Sequence, residues 1–589
     1  MFRSVSRYCL PLLLPVMLAT TPRVQAVEQA AEFLPSSTVL YAEMAKPAKT
    51  IEALLQHSIA DKVRDHEAYQ QATKTPQYHQ FQMGLKFVEA QLGMKWLEAV
   101  HEMTDGGVTL AVDAKTEGVA LIFKTASSES LETLKTKVMQ FARQDAKNKG
   151  NGDPYEEHEY RGHTVYKADK VVFTTNEEWL LIANKPDLGR HLLDGLLDGP
   201  QNSLMDQTNF QTAYKSSKNK IAWGYTNLEM IRNSGIANKV FSGKADNPGL
   251  EVILGGVLEI LPQAAYVTAA LDGLPENLQL TVALPFQPDW ISESREYYFG
   301  PNAQGSVTSV RTTAEPLISL SVYRNLSEIW LRAGDLFNAE INDGFAKADA
   351  TLTTLFSGKD FGEDILASLS PELQLVIARQ NFSAGHPSPE IKLPGFALVT
   401  RMKDVEHTRP EFRRIFMSFI GFLNVVAGSE EGRAQLDLDL ESFESGEIIS
   451  TRFVPLAGSK PYEQTNISYN FTPSVAFQDD LFILSSSSEL ARGLLSSQEQ
   501  SMKDGSDTQK DSRINLALNL TASGIRRTLE DNREHLIAQN MLEKGHSREE
   551  AEGEIGIIFE VLKLVESAGL RVLTTDKTFE AQLKLSFSE

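Results

Sequence analysis

The sequence predicts an α+β protein made of two tandem related halves, each a mainly antiparallel sheet with helices packed on one face. Two observations carry this expectation. Short apolar segments alternate with period two, as where Gln279, Thr281 and Ala283 separate Leu278, Leu280, Val282 and Leu284, and single helical segments are inserted between them. The segments also recur in one order. "WLLIANKPDLGRHLLDGL" from Trp179 and "LFILSSSSELARGLLSSQ" from Leu481 share an apolar run, a polar turn, an acid, and a Leu-x-Arg-x-Leu-Leu helix start.

The first 26 residues read as a leader: Arg3 and Arg7 precede an apolar run from Cys9 to Ala19, and Val24-Gln25-Ala26 fits a signal-peptidase site. The mature chain is expected to begin near Val27. After it come strands at Val39 and, in the second half, at Leu317. Hairpin strands follow at Val108 and Leu373, and strand–turn–helix units at Val119 and Phe396. The pair quoted above comes next, then strand–helix pairs at Ile221 and Ile514. The last match runs from Val257 and Val561 through helix, strand, turn and terminal strand. The segments recur in one order, with offsets drifting from 265 (Val108 to Leu373) to 304 (Val257 to Val561), as loops lengthen in an old duplication. Halves are expected at 27–300 and 317–589, with a Gly-, Pro-, Ser- and Thr-rich linker at 301–316.

Near the end, Ser547 to Glu550 forms a capping box ahead of a helix expected over 548–567. Its apolar positions Ile555, Ile558, Val561, Leu562 and Val565 are expected to face the sheet. A long charged helix from Ala522 to Lys544 precedes it, with a turn at Gly545-His546.

The single cysteine, Cys9, belongs to the leader, so the mature chain has no disulfide and no thiolate nucleophile or ligand. The formal charge of −21 becomes −24 once Arg3, Arg7 and Arg23 are lost, and the acids are spread along the chain. Nucleic acid is therefore not expected as a partner, and an anionic lipid surface is disfavoured unless a basic patch assembles in three dimensions. No run after the leader approaches the ~20 apolar residues of a membrane helix.

Several stretches imitate chemistry. His158, Glu159 and His163 in "YEEHEYRGHTVY" lie five apart rather than at the four-residue spacing of a helical zinc motif, and the stretch reads as a hairpin. Asp437, Asp439 and Glu441 open like a calcium loop, but Ser442 and Ile448 stand where Gly and Glu are needed, so a strand with one wet face is expected. "FSGKAD" at Phe241 and "FSGKDFGED" at Phe356 lack the flanking residues of a phosphate loop. Trp223 and the apolar helix from Leu250 to Leu261 read as core. No catalytic, cofactor-binding or metal-ligating residue is assigned.

"LPSSTVLYAEM" after the leader, "EYRGHTVY" before a hairpin and "WLLIANKPDLGRHLL" entering a helix resemble the exported bacterial proteins grouped as domain of unknown function 3352. The resemblance implies a secreted α+β protein with no assigned activity and no catalytic residues to transfer. The expected function is a secreted or periplasmic, non-enzymatic binding or structural protein of the bacterial cell envelope. The expected partner is an apolar ligand or another envelope protein. The alternative is an envelope hydrolase with a site assembled between the halves.

Overall fold

A computed structural model describes residues 28–588, apart from 66–68, 71–72, 200, 244–246, 274–276, 357, 383–387, 430–434, 444–445, 455–464 and 503–511. The leader expected at 1–26 lies outside the described residues.

Ten strands of the first half are β1 (Thr38–Met44), β2 (Val108–Asp113), β3 (Gly118–Lys124), β4 (Glu156–Tyr160), β5 (His163–Ala168), β6 (Val171–Asn176), β7 (Trp179–Ala183), β8 (Ala222–Asn227), β9 (Tyr266–Asp272) and β10 (Asn277–Pro285). β11 (Ser309–Arg311) stands before β12 (Pro316–Tyr323), β13 (Glu372–Ala378), β14 (Gly395–Arg401), β15 (Leu436–Phe443), β16 (Gly446–Phe453), β17 (Ser474–Gln478) and β18 (Leu481–Ser485). β19 (Glu499–Ser501), β20 (Arg513–Thr521), β21 (Val565–Thr574) and β22 (Thr578–Phe587) complete the chain.

Every pairing is antiparallel, and the spatial order within the first half is β4-β5-β6-β7-β3-β2-β1-β8-β9-β10. In the second half it is β15-β16-β17-β18-β14-β13-β12-β20-β21-β22, the same order strand for strand. Their last strands, β10 and β22, pair with each other from Asn277–Ser586 to Pro285–Thr578, so one 20-stranded sheet crosses both halves. β11 and β19 form a separate two-stranded ribbon.

Turn chemistry repeats with the strands. Arg161 and Gly162 both take positive φ (51° and 80°), closing the β4–β5 hairpin as a two-residue turn that matches the strand twist. The β6–β7 and β17–β18 turns each place an acid in the left-handed region, Glu177 at 50° and Asp479 at 49°.

The fold is α+β as expected, but helices lie on both faces of the sheet, not one. On the back face, the helices Pro186–Asp198 and Thr208–Tyr214 bury Leu188, Leu192, Leu193 and Phe210 against Tyr41, Ile122, Leu181 and Trp223. In the second half the helix Ser488–Ser496 covers the same face. On the front face, the helix Val405–Ser429 sets Phe412, Phe416 and Ile420 on Ile449, Val475 and Phe482. The physical reason is visible in β14, β17 and β18, whose residues are apolar on both sides and so need cover on both.

Residues 286–300 and 324–337, on either side of β11 and β12, lie on the front face where the halves meet. Phe286, Tyr297, Phe299, Ile329 and Leu336 there bury Leu284, Val322, Leu373, Leu516, Val572 and Phe579. Within 301–316 lie a short 3-10 turn and β11, with Ala303 and Val307 buried. Beneath the front-face segments, Glu251 of the helix Pro248–Ile260 is fully buried and receives Arg295 Nε and Nη2 at 2.8 and 3.1 Å and the Tyr297 hydroxyl at 2.8 Å. Arg324, also fully buried, sits 3.5 Å from the Tyr298 ring centre and donates to the Val252 carbonyl and to Asn515 Oδ1. A first-half helix, the connection, β12 and β20 are thereby tied together.

A second correction concerns the C-terminal helices. The capping box forms at Ser547 and Glu550, and the helix spans Arg548–Leu564. Its buried positions are Ala551, Ile555 and Phe559, which pack on Ile537 of the preceding helix, whereas Ile558 and Val561 are about half exposed. The four-residue ridge meets a neighbouring helix: of the positions expected on the sheet, Ile555 is buried, against that helix, while Ile558 and Val561 are not. The expected 522–544 helix is two, Ala522–Asp531 and Arg533–Lys544, divided at Asn532, whose side chain binds the Lys392 backbone.

Candidate functional site

The front face carries an apolar row in register. From β16 it runs Ile449, Val475, Leu484, Leu398, Leu375, Leu320, Leu518, Leu570, Leu583, Leu280 and Leu271 into β9, each residue directly opposite the next. Strand alternation puts one residue in two on this face, and here successive strands place leucine at the shared level. The segments 286–300 and 324–337 cover a parallel row at one end of the strands and reach Leu320, Leu518 and Leu570 of this one only in part. Leu280, Leu484 and Leu583 remain exposed on it, at 37, 43 and 48%.

In the second half the row forms the floor of a cavity of about 680 Å³ between the sheet and the helix Val405–Ser429. Leu375, Phe396, Leu398 and Leu484 supply the floor, Phe419 and Leu423 the helical wall, and Phe453, Phe471 and Pro473 the far side. No Asp, Glu, Lys, Arg or His lines it among the described residues; its polar side chains are Asn424, Ser468, Ser485 and Ser486, three of them bonded to backbone. Asn424 bonds both backbone groups of Leu436 at 2.8 Å, Ser486 Oγ accepts from the Phe396 amide, and Ser485 Oγ donates to the Ser487 carbonyl. Such a lining removes hydrocarbon from water. The volume falls within the ~300–1,000 Å³ of small-molecule pockets.

The stretches that imitate chemistry fall elsewhere. His158 and His163 lie on the β4–β5 hairpin; the turn brings them to the same face, contrary to the simple strand count, and His158 Nε2 is 3.7 Å from Glu156. Among the described residues no three His, Cys, Asp or Glu side chains converge as a metal site would require. Asp437 and Glu441 project from β15 to Arg452 and Arg492, at 2.8 and 2.5 Å. Trp223 is buried among Tyr41, Phe210, Tyr214 and Tyr225. None of these residues touches the cavity. The residues that do were not singled out by sequence. Their trace was the absence of a wet side in "GFALV" and "LFILS", which also describes a strand buried on both faces.

No family model and no curated protein matches the chain. Three solved crystal forms of a protein named TP0453 are similar over 44% of this chain and 79–81% of theirs, at 11–12% identity and TM-scores of 0.24–0.25. A likeness at that level carries no argument about fold or activity. No helix among the described residues is long and apolar enough to cross a membrane.

Proposed function

We propose that this is an exported, non-enzymatic binding protein of the bacterial cell envelope whose ligand is a hydrocarbon chain of a lipid. The carrying observation is the cavity of about 680 Å³, apolar and, among the described residues, uncharged in its lining, that opens on a leucine-paved sheet. Hydrocarbon transfer to such a surface is favourable by about 25 cal/mol per Å² removed from water, without any directional partner. An exposed apolar surface of this extent on an otherwise acidic protein marks a place where something binds. The identical strand order of the halves supports their origin by duplication. The difference between them supports a division of labour, with Val119, Leu121 and Ile182 at the positions of Phe396, Leu398 and Leu484.

The test is native mass spectrometry of the protein extracted from its own envelope, with titration by a fluorescent acyl-chain probe. Co-purified lipid is expected, together with saturable probe binding that Leu484→Trp weakens about tenfold by filling the cavity. Unchanged probe binding in that variant would overturn the assignment. So would turnover of an ester, peptide or glycoside that is lost on changing one serine or carboxylate.

A further inference from the structure

On the back face of the first half, two cavities of about 510 and 570 Å³ open on either side of Glu43. Six lysines line them, Lys46, Lys49, Lys124, Lys215, Lys218 and Lys220, against two carboxylates, Glu28 and Glu43. In a chain with 78 acids and 57 bases this is a local inversion of charge. Lys220 is paired with Asp272 and Lys124 lies 3.9 Å from Glu178, while Lys46, Lys49, Lys215 and Lys218 have no ion-pair partner among the described residues.

The second half shows what occupies the corresponding place. The cross-strand set Glu43, Thr109, Ile122 and Leu181 recurs there as Ser321, Gln374, Val399 and Ile483. Lys124 opposite Trp179 recurs as Arg401 opposite Leu481. At that site only about 40 Å³ is left, because β11 and β19 lie across it. The Gln374 amide clasps the Arg311 backbone, accepting from its N–H at 2.9 Å and donating to its carbonyl at 2.7 Å. Arg401 Nη2 donates to both carboxylate oxygens of Glu499, at 2.8 and 2.7 Å. The place therefore holds an extended segment that presents a carboxylate to the cation at the end of the third strand of the half.

In the first half that cation is Lys124, whose ammonium lies 4.9 Å from the Trp179 ring centre and donates to the Glu28 carbonyl at 3.1 Å. Thr109 is shorter than Gln374, and the site is open. We propose that this cleft binds an extended acidic segment of a partner protein, with one carboxylate on Lys124 and further acids on Lys215 and Lys218. The overall negative charge does not prevent this, because opposing charges beyond about 8 Å are screened at physiological salt whereas contact pairs are not. The site lies on the opposite face from the hydrocarbon cavity and stands independently of it.

The test is fluorescence anisotropy of the full mature chain with a labelled hexaglutamate peptide, with hexalysine, inorganic phosphate and anionic phospholipid vesicles as counter-probes. Saturable 1:1 hexaglutamate binding is expected, weakened about tenfold or more by Lys124→Glu with Lys215→Glu, and by raising salt from about 0.05 to about 0.5 M. Lys347→Glu, at an exposed position on another helix, is expected to leave binding unchanged. Lys218→Glu alone, with melting matched to the parent, guards against misfolding of the double variant and is expected to weaken binding in the same direction. Three outcomes would overturn the proposal: no saturable hexaglutamate binding, binding indifferent to the cleft variants, or vesicles or phosphate displacing the peptide at lower charge concentration.

Discussion

Arg295 and Glu251 show how much a single pair can carry when water is excluded. Glu251 has no solvent access and receives the Arg295 guanidinium and the Tyr297 hydroxyl, and Arg295 also reaches Glu259 at 3.0 Å. Arg295→Ala would leave Glu251 charged and unpaired in the interior, a loss of about 3–5 kcal/mol, read as a lowered midpoint in urea unfolding. Replacing both partners by apolar residues of similar size should cost much less, which separates the penalty of a stranded charge from the worth of the pair. The acid in "GLEVILGGVLEI" was visible in sequence, but nothing local says whether an acid among apolar residues faces water or a buried arginine 44 positions on. Glu43 makes a different use of burial. Desolvation raises its carboxyl above the ordinary range, opposed in part by bonds from Tyr41 and Tyr214 at 2.5 and 3.1 Å, with Glu28 and the cleft lysines around it. The folded chain thus holds this proton more tightly than the unfolded one, so its contribution is fully present at low pH and is lost as pH rises from the ordinary carboxyl range through the folded value. Glu43→Gln, which carries no charge at any pH, should stabilise the protein at pH 7 and lose that advantage near pH 4, as chemical unfolding at the two pH values will show.

Elements whose boundaries depend on nearby residues were legible, and those that depend on a distant surface were not. The Arg548–Leu564 helix starts where its capping box requires, since Ser547 accepts from the Glu550 amide and Glu550 returns a bond to the Ser547 backbone at 2.8 Å. Ser547→Ala should cost about 1 kcal/mol in thermal unfolding. Which side of that helix is buried could not be read, because periodicity marks an apolar stripe but not whether a sheet or a helix meets it. The helix Pro248–Ile260 carries a further constraint in its Gly255-Gly256 pair. A Cβ on Gly256 would stand 2.4 Å from the Tyr298 ring, and that ring cannot yield because Arg324 is stacked on it. Gly256→Ala should therefore destabilise by about 1–3 kcal/mol despite the better helix propensity of alanine, the expected sign for overpacking. The same reasoning explains why the apolar cavity is not legible in sequence: a strand covered on two sides and a strand lining a cavity have the same apolar sequence.

At the scale of the molecule, the repeat was readable as matched segments in one order, yet its consequence, one sheet through both halves, was not. "LQLTVAL" and "AQLKLSF" alternate as an edge strand or an interior strand would, and no local feature names a partner about 300 residues away. The halves are held together by the β10–β22 ladder, by the core in which Ile260, Leu284 and Phe286 pack with Val322, Leu516 and Phe579, and by the buried Glu251, Arg295 and Arg324 cluster. The core draws residues from both halves and from the segment between them, so neither half can open without exposing apolar surface of the other. The intact chain should accordingly melt as one cooperative transition in scanning calorimetry. Val282→Pro removes a donor from the interior strand β10 and its ring disrupts the ladder, a change that proteins tolerate only at sheet edges. It should split the transition in two, with the lower step belonging to the first half, whose terminal strand is the one disrupted. A single transition, merely lowered, would instead mean that the buried Glu251, Arg295 and Arg324 cluster and the core above it couple the halves without the ladder.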